Sequence, residues 1–254
     1  MKPWETLDES PIPNGGKMTL CRRDDEYVIF ADRLELMSSR RHGSEDSLST
    51  ETIKRVANCQ RLLIGGLGLG FTLRAALDAL PKTAEVVVAE LVPKVVEWNR
   101  THLAHLAGSP LEDPRVEVRV TDVANPLRET NAWDAILLDV DNGPSAFTQN
   151  RNNSLYEDNG LFTARLALRP GGVLTVWSSD PDRDFERLLA KHGFENQTIA
   201  VPAWPGAKKM HYLFVARMAD LDNGGGRAGK IAHREAQREQ QRGGGGKPQK
   251  RRRR

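Results

Sequence analysis

From residue 61 onward, the hydrophobic pattern switches repeatedly between two periods. Arg61–Gly65 is an apolar run of strand length, and residues 71–80 place apolar side chains at helical spacing. Residues 84–90 read as a buried strand, and residues 93–106 as a helix with proline in its first turn. Val116–Val120 and residues 133–140 are two further strands. Residues 161–168 read as a helix stopped by Pro170-Gly171-Gly172, followed by a strand over 172–177. A helix over 182–192 ends at Gly193, and residues 194–201 and 211–216 form a last antiparallel pair. Strands alternating with helices predict an α/β fold whose mostly parallel sheet is covered on both faces, with an antiparallel hairpin at one edge.

The chain before residue 61 has a different texture. Residues 1–16 are polar and punctuated by Pro11, Pro13, Gly15 and Gly16, which predicts a loose leader without an apolar signal segment. Residues 18–22, 27–31 and 33–37 are short extended candidates and predict a small antiparallel sheet within 17–48. Residues 49–59 have helical character, with Thr50 as a candidate N-cap, and open the main domain at 49–221. There is no internal repeat.

Composition changes the picture at the C-terminus. Residues 222–254 hold eleven Lys/Arg against three Asp/Glu, two glycine blocks and no apolar stripe, which predicts a disordered basic tail. The remaining body is mildly acidic, so no global basic field argues for nucleic acid. The tail reads better as a solvated extension than as an arm for RNA or an acidic partner. The two cysteines, Cys21 and Cys59, give neither a disulfide framework nor a zinc motif, which suits a cytoplasmic protein. No apolar run is long enough to span a membrane, and the six histidines show no metal-ligand spacing.

The candidate chemistry lies at the ends of strands. Leu62-Leu63-Ile64-Gly65-Gly66-Leu67-Gly68-Leu69-Gly70 joins a strand to a helix, and Glu90 closes the next strand about 20 residues on. Such a turn lets a ligand approach the backbone closely, and an acid in that place takes ribose hydroxyls. Gly65, Gly66, Gly68, Gly70 and Glu90 are therefore candidate adenosine-binding residues. The GxGxG spacing, with Leu67, Leu69 and Phe71 making an apolar mouth, favours an adenosyl-methionine type of ligand over a dinucleotide. Asp122 follows a strand and could accept from an adenine amino group or cap the segment starting at Ala124. Asp139 and Asp141 end a strongly apolar strand before Gly143-Pro144. Ligands bind outside the carboxyl ends of strands, so Asp139 is a candidate general base and Asp141 a candidate substrate contact. Each could instead serve as a turn cap. Asp134, at the opposite rim, reads as structural.

With these residues in view, the chain resembles the class I S-adenosylmethionine-dependent methyltransferase fold over residues 61–179. More narrowly, over about residues 18–217, it resembles the spermidine synthases. The resemblance rests on Leu63-Ile64-Gly65-Gly66, Glu90-Leu91-Val92-Pro93, Asp122, the strand ending at Asp139, Leu168-Arg169-Pro170-Gly171-Gly172 and Pro202-Ala203-Trp204-Pro205-Gly206. It implies a seven-stranded Rossmann-like sheet preceded by a small N-terminal β-sheet. It also implies aminopropyl transfer from decarboxylated S-adenosylmethionine to a diamine such as putrescine, with Asp139 as base, Glu90 on the ribose, Asp122 on the adenine side and no metal. The family's quaternary habits imply a homodimer. The chain departs from the family where Gly68 replaces an Asp that engages the aminopropyl amine. His42-Gly43-Ser44-Glu45-Asp46-Ser47-Leu48 also replaces a stretch carrying Tyr and His, and Trp177 stands where Gln is frequent. The rival expectations are methyl transfer from S-adenosylmethionine, or a non-catalytic nucleoside-binding module that uses its tail on RNA.

Overall fold

In a computed structural model the chain is described over residues 2–12, 15–140 and 153–218. Four antiparallel strands come first: β1 (Glu5–Pro11), β2 (Lys17–Arg23), β3 (Glu26–Ala31) and β4 (Leu34–Ser38). The next helix is α1 (Gly43–Ile53), followed by β5 (Arg61–Gly65), α2 (Phe71–Ala79), β6 (Glu85–Glu90), α3 (Pro93–Arg100) and β7 (Val116–Val120). Then come β8 (Trp133–Leu138), α4 (Asn153–Tyr156), α5 (Asp158–Ala167), β9 (Leu168–Ser178), α6 (Arg183–Lys191), β10 (Phe194–Pro202) and β11 (Met210–Met218).

The second sheet has the order β10-β11-β9-β8-β5-β6-β7. Strands β5 to β9 run parallel, and β11 enters antiparallel between β9 and β10. The chain moves outward from β5 through β6 to β7, then returns to β8 on the other side of β5. That reversal makes β5/β8 the topological switch point, where open α/β sheets hold their ligands.

Strand alternation divides the core. Leu62, Ile64, Val86, Val88, Ala135 and Leu137 face one layer, where Leu48, Leu73 and Trp98 of α1 to α3 and Leu20 and Ile29 of the small sheet are buried. Leu63, Val87, Ile136, Leu138 and Leu174 face the other, against Leu161, Ala164, Phe185 and Leu189. The small sheet is therefore part of the same core.

Three sequence expectations are corrected. Residues 5–11 are not a loose leader but strand β1, paired with β2 from Glu5↔Arg22 to Pro11↔Lys17. Asp8 fastens that strand to α3, accepting from Trp98 Nε1 at 2.9 Å and pairing with Lys94 at 3.0 Å. No apolar alternation announces β1, because it is held by backbone pairing and one polar anchor. Second, α1 begins at Gly43 rather than near 49, so Thr50 lies inside it and donates to the Asp46 carbonyl at 3.1 Å instead of capping. Third, α3 ends at Arg100, with turns after it, and β9 starts at Leu168, so Pro170-Gly171-Gly172 lies within a strand. Asp182 does cap α6, accepting from the Asp184 and Phe185 amides at 2.9 Å. Among the described residues no helix is long and apolar enough to cross a membrane.

Candidate active site

The switch point is built first from backbone. Gly66, Gly68 and Gly70 all have positive φ, at 91°, 53° and 86°, a region that L side chains enter only with strain. Gly66 is the tightest position, since a Cβ there would stand 2.3 Å from the Asp139 carbonyl oxygen. Gly65 closes β5 against the loop after β7, where a Cβ would stand 2.8 Å from Val123 Cγ2. The Asp139 amide donates to the Gly65 carbonyl at 2.9 Å, extending the β5/β8 pairing to the rim. Asn99 of α3 donates to the Gly68 carbonyl at 2.8 Å and steadies the loop from below.

Glu90 is buried at the end of β6. It accepts from the Leu67 amide at 2.9 Å and from the Val92 amide at 2.8 Å. Burial raises its carboxyl pKa, and the amide bonds oppose that shift. A carboxylate accepts about four hydrogen bonds, so the two amides leave capacity for ribose hydroxyls. The glycine cradle and this acid fit an adenosyl group. The expectation of an apolar mouth is corrected, because Leu67 and Leu69 are buried in the core and only Phe71 stays near the rim. Phe71 carries the His42 ring stacked at 3.8 Å.

Asp122 is exposed and accepts from the Ala124 amide at 2.9 Å. That is the capping geometry, although a turn rather than a helix follows, and its other oxygen makes no hydrogen bond among the described residues. Asp134 is structural, as its position suggests. It accepts from the Gln60 and Arg61 amides at 2.9 and 2.8 Å and pairs with Arg169 at 3.0 Å. Asp141 lies outside the described residues.

Asp139 sits at the end of β8, where Thr72 Oγ1 of α2 donates to its Oδ2 at 2.8 Å. Burial pushes its carboxyl above the ordinary range. Its charge is felt by a group the sequence reading did not single out as a site residue, Glu45 on the first turn of α1. Burial, and then the Asp139 charge, push Glu45 up to about 7. Ser44 donates to Glu45 Oε2 at 2.7 Å and meets His211 Nδ1 of β11 at 2.9 Å. His211 is pushed down to about 4, chiefly by burial, and so is neutral at pH 7. Its ring packs edge-on against Trp177 of β9 at 4.7 Å. The Trp177 indole N–H is buried without a partner among the described residues.

Several contacts seat α1 over this rim. Thr52 donates to Thr175 of β9 at 2.8 Å, and Ser49 to the Thr72 carbonyl at 2.6 Å. Gly43 lies so close to the loop after β10 that a Cβ would stand 3.0 Å from Trp204 Cα. The signal that could have found Glu45 was the start of α1, which the weakly amphipathic run of polar residues at 43–49 conceals. Among the described residues no group of three or more His, Cys, Asp or Glu could hold a metal ion.

No protein-family model matches the chain. In sequence it is 28% identical over 172 residues to the polyamine aminopropyltransferase of Mycobacterium tuberculosis, covering 65% of this chain and 31% of that protein. It is 35% identical over 124 residues to the polyamine aminopropyltransferase of a Synechococcus species, covering 46% of this chain and 36% of that protein. The chain thus spans about a third of the length of these curated relatives. Spermidine synthase from Thermotoga maritima superposes with a TM-score of 0.66 at 19% identity, over 84% of this chain and 73% of that one. A spermidine synthase solved with the transition-state analogue AdoDATO gives 0.65 at 18% identity, over 84% and 72%. The chain therefore shares the Rossmann-like fold of solved spermidine synthases and is similar in sequence to part of the polyamine aminopropyltransferases.

Proposed function

We propose that this protein transfers an aminopropyl group from decarboxylated S-adenosylmethionine to a diamine such as putrescine, with Asp139 as general base. The carrying observation is the place of Asp139. It lies at the switch point, against Gly66 of the adenosyl cradle, with one oxygen held by Thr72 at 2.8 Å. The amine nitrogen of the acceptor attacks the propyl carbon beside the sulfonium. A C–N bond forms, the C–S bond breaks, and its electron pair returns to sulfur, leaving a neutral thioether. The proton released from nitrogen goes to Asp139, whose raised pKa moves it toward that task. The sulfonium is already a good leaving group, so the proposal invokes no metal.

Glu90 and the glycine loop hold the donor in this reading, with Asp122 on the adenine side and Asp141 on the acceptor. A cytoplasmic homodimer acting on a small amine completes it, in keeping with the two free, buried cysteines. The tail at 222–254 lies outside the described residues and is assigned no part in the reaction.

One observation favours methyl transfer as a second reading. Gly68 offers no carboxylate for an aminopropyl amine, and a Cβ there would stand 3.2 Å from Met37 Sδ. Calorimetric titration with the decarboxylated and the carboxylated donor separates the two readings, and tighter binding of the carboxylated form would sink the first. In a mass-spectrometric assay with putrescine, Asp139→Asn is expected to lower transfer by about 10²- to 10⁴-fold while donor affinity persists. Full turnover in that variant would remove Asp139 from the role of base.

A further inference from the structure

The rim beside the glycine loop involves two carboxylates from distant parts of the chain. Asp139 is fixed by Thr72 at the start of α2, and Glu45 by Ser44 at the start of α1. The two helix starts are joined by the His42 ring on Phe71 and by the Ser49 bond to the Thr72 carbonyl. The starts of α1 and α2 are thus tied together, and the charge of Asp139 is felt at Glu45.

The side chains bonded to the two carboxylates, Thr72 and Ser44, carry no positive charge, while the charge of Lys209 is felt at His211. His42 acts on Glu45, but it is already paired with Asp46 at 3.0 Å. Arg41 is paired with Glu35 and lies over the Trp204 ring. His211 is neutral, and a neutral ring with its proton on Nδ1 donates a hydrogen bond to Ser44, whose hydroxyl in turn donates one to Glu45. That chain orients Glu45 without neutralising it. Two carboxylates held this way, with the His211 ring bonded to Ser44 and Trp177 packed on that ring, suit a compact organic cation with an alkyl body.

We propose that Glu45 is the second carboxylate of the acceptor site, holding a primary ammonium group of the diamine opposite Asp139, with Ser44 and His211 positioning it. This rests on the aminopropyl-transfer reading for the identity of the acceptor, but its central claim is the binding of an alkylammonium. The division of labour follows from geometry. Asp139 adjoins the glycine loop and takes the reacting nitrogen. Glu45, on the α1 side, takes the other nitrogen or guides the first one in.

The test is calorimetric titration of putrescine into the full chain, with and without methylthioadenosine, for the wild type, Glu45→Gln and Glu45→Asp. Losing a charged hydrogen bond should weaken putrescine about 10- to 100-fold in Glu45→Gln, and Glu45→Asp should recover part of the loss. Methylthioadenosine affinity should not change in either variant. In turnover, KM for the diamine should rise while kcat at saturation stays within a few-fold. Unchanged putrescine affinity in folded Glu45→Gln overturns the proposal, as does a wild type that binds 1,4-butanediol as well as putrescine. The butanediol comparison needs no variant and decides the matter even if Glu45→Gln does not fold. Failure of the transfer reading is distinct. It shows as no aminopropyl product from any diamine, with putrescine binding still dependent on Glu45.

Discussion

The two halves of the proposed site, one for the donor and one for the acceptor, are made in different ways. The donor half is local: β5, the glycine loop and the start of α2 are contiguous in sequence, and Glu90 joins them through one amide of the loop at 2.9 Å. Its working groups are mostly backbone. The acceptor half is made of side chains from α1, α2, β8, β9 and β11, with Ser44 and His211 in contact across 167 residues of chain. A cradle for a common adenosyl group needs little more than shape, which glycines and one acid supply. Discrimination among amines needs charges at set distances, which only converging elements supply. The departures from the spermidine synthases, at Gly68, residues 42–46 and Trp177, fall mainly on the second kind of construction.

Gly66 is where the halves touch, so a change there should have the largest effect. Gly66→Ala forces a Cβ toward the Asp139 carbonyl at a φ of 91°. Strain and overpacking together should cost about 3 kcal/mol of stability, read from urea denaturation, and should weaken both ligands. A wild-type urea midpoint with loss of only one ligand would mean that the halves are not joined at this residue.

Glu90→Gln acts on the donor half alone. The substituted amide group cannot accept at both positions, so one of the Leu67 and Val92 amides loses its partner. Stability should fall by about 1–3 kcal/mol, and donor affinity should fall at least as steeply. Putrescine affinity, titrated without the donor, should be unmoved. If it falls in step with donor affinity, the two halves are one coupled network and the contrast drawn above is too sharp.

The smallest effect is a pH dependence that belongs to the acceptor half. Glu45 titrates near 7 in the folded protein against an ordinary 4.5, so the folded state binds more protons than the unfolded chain between those values. That contribution to stability falls as pH rises from 4.5 to about 7, with Asp139 and Glu90 adding in the same direction, while His211, pushed down from 6.5 to about 4, makes an opposing contribution between those two values. Asp8 and Asp113, held down at about 2 by hydrogen bonds, change stability only below that window. The change in urea midpoint between pH 4.5 and 7 should therefore be more positive in Glu45→Gln, where His211 is unopposed by Glu45, than in the wild type. An identical pH profile in the two proteins would assign the dependence to the other shifted groups, Asp139, Glu90 and His211.

The sequence by itself determined the α/β class, the order of strands and helices after residue 61, the glycine loop with Glu90, and the structural role of Asp134. Each of these is written in short-range periodicity or in residues close together along the chain. Tertiary structure alone decided the rest. It made residues 5–11 a strand, because the edge of β2 and the Trp98 side chain hold a segment with no apolar pattern of its own. It started α1 six residues earlier than the pattern suggested, because Ser44, Ser49 and Thr52 find partners on β11, α2 and β9. That longer helix is what carries Glu45 to Asp139. Polar side chains that bond across the fold leave no mark on hydrophobic periodicity, so the acceptor half is visible only once the elements are packed.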